Sequence, residues 1–210
     1  MTTPTTLTFW YFPFAGRGAA IRDAFRIGKV AFADEKIDPD TFKRKKAAGE
    51  LPFGSLPVLV IEDERGKRLV SQSNAILRYA GKLGGLYPTA DHLTALRIDE
   101  MLDAAEDATY LIGASIQEED PARKASMRKH MAEEALPRWF GRFERILDQN
   151  GTTDYFVGDT LTVADLKMLY MIDKYLNGSL DGIPTTVMDP FEKLGAWRKH
   201  VRAVRDARVG

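Results

Sequence analysis

The chain of 210 residues contains no cysteine, which excludes disulfides, thiolate zinc sites and cysteine nucleophiles. Histidine is nearly as scarce: His92, His130 and His200 are scattered, so a histidine-based triad or metal centre has almost no material. Net charge is absent too. Thirty Lys and Arg balance 30 Asp and Glu, so no overall field draws the molecule to nucleic acid or to an acidic membrane, and any charged ligand must be read locally. No apolar run approaches the roughly 20 residues of a spanning helix. The opening MTTPTTLTFW lacks the basic start and apolar core of a signal peptide, so a cytoplasmic location is expected. Repeats and low-complexity tracts are missing as well. What remains, 44% apolar and 29% charged, describes a globular protein of one large or two small domains.

The pattern along the chain changes character once. Residues 5–11 and 30–37 read as short strands around a helix from about Arg17 to Ile27, whose Ile21, Ala24 and Phe25 recur at helical spacing before Gly28. A polar, basic segment follows. LPVLVIEDERGKRLV then predicts two strands joined by a charged turn at Glu64 to Gly66, and SNAILRYAGKLGG a helix closed by glycines. Beyond the turn-rich GLYPTADH no strand is expected, because residues 93–118, 121–149, 162–176 and 190–207 all carry helical periodicity. The reading is an α/β domain over 1–85, a linker over 86–93 and an all-α bundle over 94–210.

Several short stretches invite chemistry, and each has a plain structural reading beside it. Leu7, Phe9 and Tyr11 alternate like a half-buried strand, and spacing alone makes Tyr11 a core aromatic; Trp10 packs on the opposite face. Pro57 opens a strand, where a missing N–H is tolerated. Gln72 and Ser73 stand at a helix N-terminus, which is an anion site and equally a place for a serine cap. FKRKK, 42–46, reads as a solvated helix face. On the helix LRIDEMLDAAEDATYLIGASI, Met101, Ala105, Ala108, Thr109 and Ile112 form an apolar stripe, while Asp99, Asp103, Glu106, Asp107 and Tyr110 face water. Near the end Thr162 and Asp165 form a capping box with Leu161 as its staple, a structural device.

Taken in order, YFPFAGRGAAIR at 11–22, LPFGSLPVL at 51–59, SQSNAILRYAG at 71–81 and YFVGDTLTVADL at 155–166 resemble the cytosolic glutathione transferases. The likeness is strongest to the sigma-like branch that includes the haematopoietic prostaglandin D synthases, and it covers essentially the whole chain. It implies a thioredoxin-like domain followed by an α-helical domain, in a homodimer with shared active sites. Glutathione would be the co-substrate, with no metal required. Its thiol, two carboxylates and ammonium call for a thiolate stabiliser, two anion holders and a carboxylate.

The resemblance implies a role for each motif. Tyr11 takes the position of the catalytic tyrosine, and Arg17 stands beside the thiolate. Pro57 follows a cis bond that lets the Leu56 backbone pair with the cysteinyl backbone. Gln72 and Ser73 receive the γ-glutamyl carboxylate. Phe42 and Lys46 keep the interval of an aromatic residue and a lysine for the glycyl carboxylate. The branch has tryptophan where Phe42 stands, and this chain is slightly longer before LPFG, so Arg44 or Lys45 are alternatives to Lys46. Asp107 reaches across the dimer to the partner's glutathione ammonium, and Asp103, Glu106 and Asp107 correspond to acids that hold magnesium in some relatives. Phe14, Thr109, Tyr110 and Ala114, with Ile112, line a second-substrate pocket. The activity implied is attack of a tyrosine-stabilised thiolate on a hydrophobic electrophile. A glutathione-dependent isomerase of prostaglandin-like or maleyl compounds and a non-catalytic glutathione-binding scaffold are the alternatives.

Overall fold

A computed structural model describes residues 5–151 and 154–209, and the chain divides into two compact units between Tyr87 and Pro88. The first unit runs β1 (Thr6–Tyr11), a 3-10 turn (Gly16–Gly18), α1 (Ala19–Ile27), β2 (Ala33–Lys36), α2 (Pro39–Ala47), β3 (Val58–Asp63), β4 (Gly66–Ser71) and α3 (Ser73–Gly84). Its four strands lie in the order β2-β1-β3-β4, with β1 parallel to β2 and antiparallel to β3. This β-α-β then β-β-α sequence on one mixed sheet is the thioredoxin-like arrangement.

β1 is an inner strand with both edges paired, and its side chains are buried on both faces of the sheet: Phe9, Trp10 and Tyr11 are all buried. Phe9 and Tyr11 share the face toward α1, while Trp10 points the other way. α1 buries Ile21, Ala24 and Phe25 completely, at the helical spacing seen in the sequence. The basic segment after β2 folds as the solvated helix that its charges suggest. Asp38 caps it by accepting the Asp40 and Thr41 amides at 2.9 Å each, and Pro39 occupies the first turn. No residue of α2 is fully buried, so it lacks the apolar stripe by which a helix is usually recognised.

The second unit is helical: α4 (His92–Tyr110), α5 (Gly113–Gln117), α6 (Pro121–His130), a π-helical turn (Met131–Ala135), α7 (Leu136–Gln149), α8 (Val163–Leu176) and α9 (Glu192–Val209). Two long helices expected from periodicity are interrupted. The one over 93–118 breaks at Leu111, before Gly113 restarts it as α5. The one over 121–149 widens into the π turn ahead of Pro137, whose ring and absent N–H cannot continue a regular ladder.

α8 is the axis of this unit, buried on nearly every side from Val163 to Tyr175. Each of its buried Val, Leu, Ile and Met side chains contributes about 1.5–3 kcal/mol of burial. Its start is fixed by the capping box, with the Thr162 side chain and Asp165 answering each other. The Asp165 carboxylate is fully buried and accepts from the Phe156 amide at 2.9 Å, the Thr162 amide and hydroxyl at 3.0 Å each, and Trp197 Nε1 at 3.2 Å. α8 and α4 are pinned by polar contacts as well: Tyr175 donates to the Ala108 carbonyl at 2.6 Å, and Lys167 pairs with Glu106 at 2.8 Å. Glu106 is therefore not one of the water-facing acids of α4, because its partner is a buried lysine on the neighbouring helix. Ile112, expected near a substrate pocket, is fully in the core. Among the described residues no helix is long and apolar enough to cross a membrane.

Candidate active site

β1 delivers Tyr11 to the point where the chain turns into α1. The 3-10 turn Gly16–Gly18 puts the Arg17 amide 2.8 Å from Tyr11 Oη, which accepts its hydrogen bond. The two glycines are dictated by the ring. Gly16 adopts φ +40°, and a Cβ there would meet Tyr11 Oη at 2.5 Å, while a Cβ on Gly18 would meet the ring at 2.4 Å. Burial raises the Tyr11 pKa, against the Arg17 amide bond and the nearby Arg17 and Arg22 charges, which lower it. Tyr11 is thus a neutral hydroxyl at neutral pH, with one acceptor position already occupied.

Around this phenol stands an aromatic cluster. Phe14 lies edge-on to Tyr11 with centroids 5.8 Å apart and stacks on Phe12 at 5.2 Å, and Phe12 meets Phe42 of α2 at 5.4 Å. Phe14 remains 57% exposed, an apolar surface next to a buried hydroxyl.

The residue missed in the sequence is Arg22. Its guanidinium is buried, lies 5.4 Å from the Phe9 ring centre and 5.5 Å from that of Tyr11, and donates to the carbonyls of Phe12 at 2.9 Å and Phe14 at 3.1 Å. Its Nε bonds both oxygens of Asp34 at 3.0 Å. Asp34 also receives Lys36 and lies 3.7 Å from Arg26. Burial pushes the Asp34 carboxyl up, but the bonds from Lys36 and Arg22 outweigh it and hold the group below the ordinary carboxylate value. An arginine between Ile21 and Asp23 inside a helix gives little sequence signal of this. Only its clash with the apolar stripe of Ile21 and Phe25 hinted at a buried charge.

The Leu56–Pro57 bond is cis. Gln72 holds φ +76°, a conformation L residues rarely adopt, immediately before α3. Ser73 is the first residue of α3 and not its cap, and no side chain caps this terminus. Its hydroxyl has no hydrogen-bond partner among the described residues. The capping reading therefore falls away because Gln72 takes the cap position in a backbone conformation that leaves the Ser73 side chain uncommitted.

Of the four cations of α2, the three candidates for the glycyl carboxylate separate clearly. Lys45 is committed: its Nζ lies 2.9 Å from Glu50 and 3.9 Å over the Trp10 ring. Arg44 makes one long contact of 3.4 Å to Thr41. Lys46 has no ion pair among the described residues and lies 5.9 Å from the Phe42 ring centre.

On the helical unit, Asp107 is exposed on α4 and makes no ion pair among the described residues. Thr109 spends its hydroxyl on the Ala105 carbonyl at 2.7 Å, Tyr110 is 65% exposed, and Ala114 is exposed on α5. Among the described residues no cluster of three or more His, Asp or Glu is arranged to hold a metal ion.

A thioredoxin-like unit with a cis-proline beside a buried, amide-bonded tyrosine, followed by a helical unit built on a capped central helix, defines a recognisable class of protein. Residues 106–206 match the family model described as glutathione S-transferase, C-terminal domain. The glutathione S-transferase of Plasmodium yoelii yoelii is 31% identical, over 75% of this chain and 72% of its own. Glutathione S-transferase P of Homo sapiens is 30% identical, over 84% of this chain and 81% of its own. The solved structure of prostaglandin synthase D of Nilaparvata lugens superposes with a TM-score of 0.81 at 27% identity, covering 97% of this chain and 94% of that one. The chain belongs to the glutathione S-transferase family.

Proposed function

We propose that this chain is a cytoplasmic, homodimeric glutathione S-transferase of the tyrosine type, in which Tyr11 holds the thiolate of bound glutathione for attack on a hydrophobic electrophile. The observation that carries the reading is the 2.8 Å bond from the Arg17 amide to Tyr11 Oη. With the oxygen engaged as an acceptor, its own proton is left to donate. A thiol with pKa near 8.5 must fall by about 2 units to be mostly ionised at neutral pH, worth about 2.7 kcal/mol. A charge-assisted hydrogen bond supplies about 1.5–3 kcal/mol, so one phenol, aided by the Arg17 charge, is adequate.

The thiol proton leaves to solvent as the complex forms. The sulfur then bonds to the electrophilic carbon, and the leaving group departs with its electron pair. No redox step is involved. The Leu56 backbone beside the cis bond pairs with the cysteinyl backbone, while Gln72 and the uncommitted Ser73 hydroxyl at the start of α3 take the γ-glutamyl carboxylate. Phe42 and Lys46 hold the glycyl end. Asp107 of a second copy meets the ammonium, and exposed Phe53, Leu93 and Leu96 suit contact with that copy. Phe14 faces the electrophile.

Conjugation of chlorodinitrobenzene, together with ultraviolet titration of the glutathione complex, tests this. Tyr11→Phe should retain glutathione on an affinity column, lose about 10–100-fold in rate and return the thiol pKa toward about 8.5. An unchanged thiol pKa would overturn the reading. A glutathione-dependent isomerase is favoured by the likeness to the prostaglandin synthase D, and product analysis over a small panel of prostaglandin-like and maleyl substrates separates it from a transferase.

A further inference from the structure

The chain has three asparagines, Asn74, Asn150 and Asn177, and the last two each precede a glycine. An Asn-Gly step can react with itself, because a second residue without a Cβ lets its backbone nitrogen approach the asparagine side chain with little hindrance. Both steps lie in the helical unit and share a setting. Asn150 follows α7 at φ −72° and ψ −10°, and Asn177 follows α8 at φ −83° and ψ 1°, so in both the backbone must leave the helical range before a ring closes. Conformation does not separate them.

Side-chain commitments do. Asn150 donates from Nδ2 to the carbonyls of Tyr155 at 3.1 Å and Gly158 at 2.7 Å, and its Oδ1 accepts the Gly158 amide at 3.0 Å. The Gly151 amide is engaged as well, 3.3 Å from the Asp148 carbonyl. Both the side chain and the attacking nitrogen are held. Asn177 is exposed, and among the described residues neither its Nδ2 nor the Gly178 N–H has a hydrogen-bond partner. Its Oδ1 accepts two bonds from one neighbour, the Ser179 amide at 2.9 Å and the Ser179 hydroxyl at 2.6 Å. These donors meet the oxygen on which negative charge gathers when a nucleophile adds to Cγ, as in an oxyanion hole.

We propose that Asn177 is a site of spontaneous deamidation and that Asn150 is protected from it. The Gly178 nitrogen gives its proton to solvent and bonds to Asn177 Cγ; the bond from Cγ to Nδ2 breaks, and ammonia leaves with a proton taken from water. Water then opens the five-membered imide at either carbonyl, giving aspartate or isoaspartate, and nothing is oxidised or reduced. Either product places a negative charge at the C-terminal end of α8, where the helix dipole is already negative, and isoaspartate adds a carbon to the main chain. The central helix of the unit thus carries a slow, one-way change at its end that is independent of the thiolate chemistry.

Ageing the full chain in mildly alkaline buffer, with aspartate and isoaspartate quantified in the tryptic peptides that carry Asn150 and Asn177 separately, tests this. In the folded chain Asn177 should convert about tenfold faster than Asn150 or more, since three hydrogen bonds must open at the slower site, and in urea the two rates should converge. Ser179→Ala, at an exposed position, should slow conversion at Asn177 by about two- to tenfold through loss of one donor. Equal rates at the two sites in the folded chain, no conversion at Asn177, a difference that persists in urea, or an unchanged rate in Ser179→Ala would each overturn the inference.

Discussion

Each unit of this molecule buries a charged side chain, and the two employ it differently. In the helical unit, Asp165 satisfies donors from the chain before α8, from the cap Thr162 and from Trp197 of α9, so its carboxylate joins three segments of the bundle. In the sheet unit, Arg22 ties two carbonyls of the loop after β1 to Asp34 on β2, and that loop carries the aromatic rings around Tyr11. Buried polarity ties helices together in one unit and holds the loop around the proposed catalytic Tyr11 in the other.

The sharpest break of this contrast is Asp165→Ala. Each buried donor left unpaired costs about 1–3 kcal/mol, so the variant should lose roughly 3–5 kcal/mol in denaturant unfolding, while the folded fraction keeps the wild-type thiol pKa. Tyr11→Phe should do the reverse, with a rate loss equivalent to about 1.4–2.8 kcal/mol and an almost unchanged Tm. Arg22→Met comes next. Conjugation kcat/KM should fall about tenfold with an upward move of the thiolate limb of its pH profile, and Arg22→Lys should recover only part, since an ammonium cannot span Asp34 and two carbonyls. A pH profile that shifts with Asp165→Ala but not with Arg22→Met would invert the comparison.

Smaller effects sharpen it. Lys46→Ala should raise KM for glutathione several-fold, about 1 kcal/mol of uniform binding, with kcat kept, whereas Lys45→Ala should leave KM alone. Asp34 gives the least. Its folded pKa is depressed, so its contribution to stability is present above the ordinary carboxylate value of 3.8 and is lost as pH falls through the lower folded value. Thermal melts of the wild type should show this acid loss, and Asp34→Asn should lack it.

Much of the fold was legible. The alternation of Leu7, Phe9 and Tyr11, the stripe of Ile21, Ala24 and Phe25, and the Thr162–Asp165 box all appear in place, because each is a local pattern imposed by strand or helix period. α2 was legible only as a solvated face over 42–46 and without its bounds, although Asp38-Pro39 is a start signal, because a helix with no buried residue shows no apolar period. The breaks at Leu111 and in the π turn were hidden for the opposite reason, since the apolar period continues across them.

At the candidate site, residue types and order came from the chain itself, and commitments did not. Sequence placed Tyr11 before a Gly-Arg turn, a proline at the mouth of a strand and a run of cations on one segment, because strand and helix geometry are local. Which cation is spoken for, that Ser73 lies inside α3 and not at its cap, that Glu106 is taken by Lys167 and that Arg22 is inside were decided only by packing. Hydrogen bonds and burial join residues far apart in the chain, and no spacing rule records which of several equivalent groups meets its partner first.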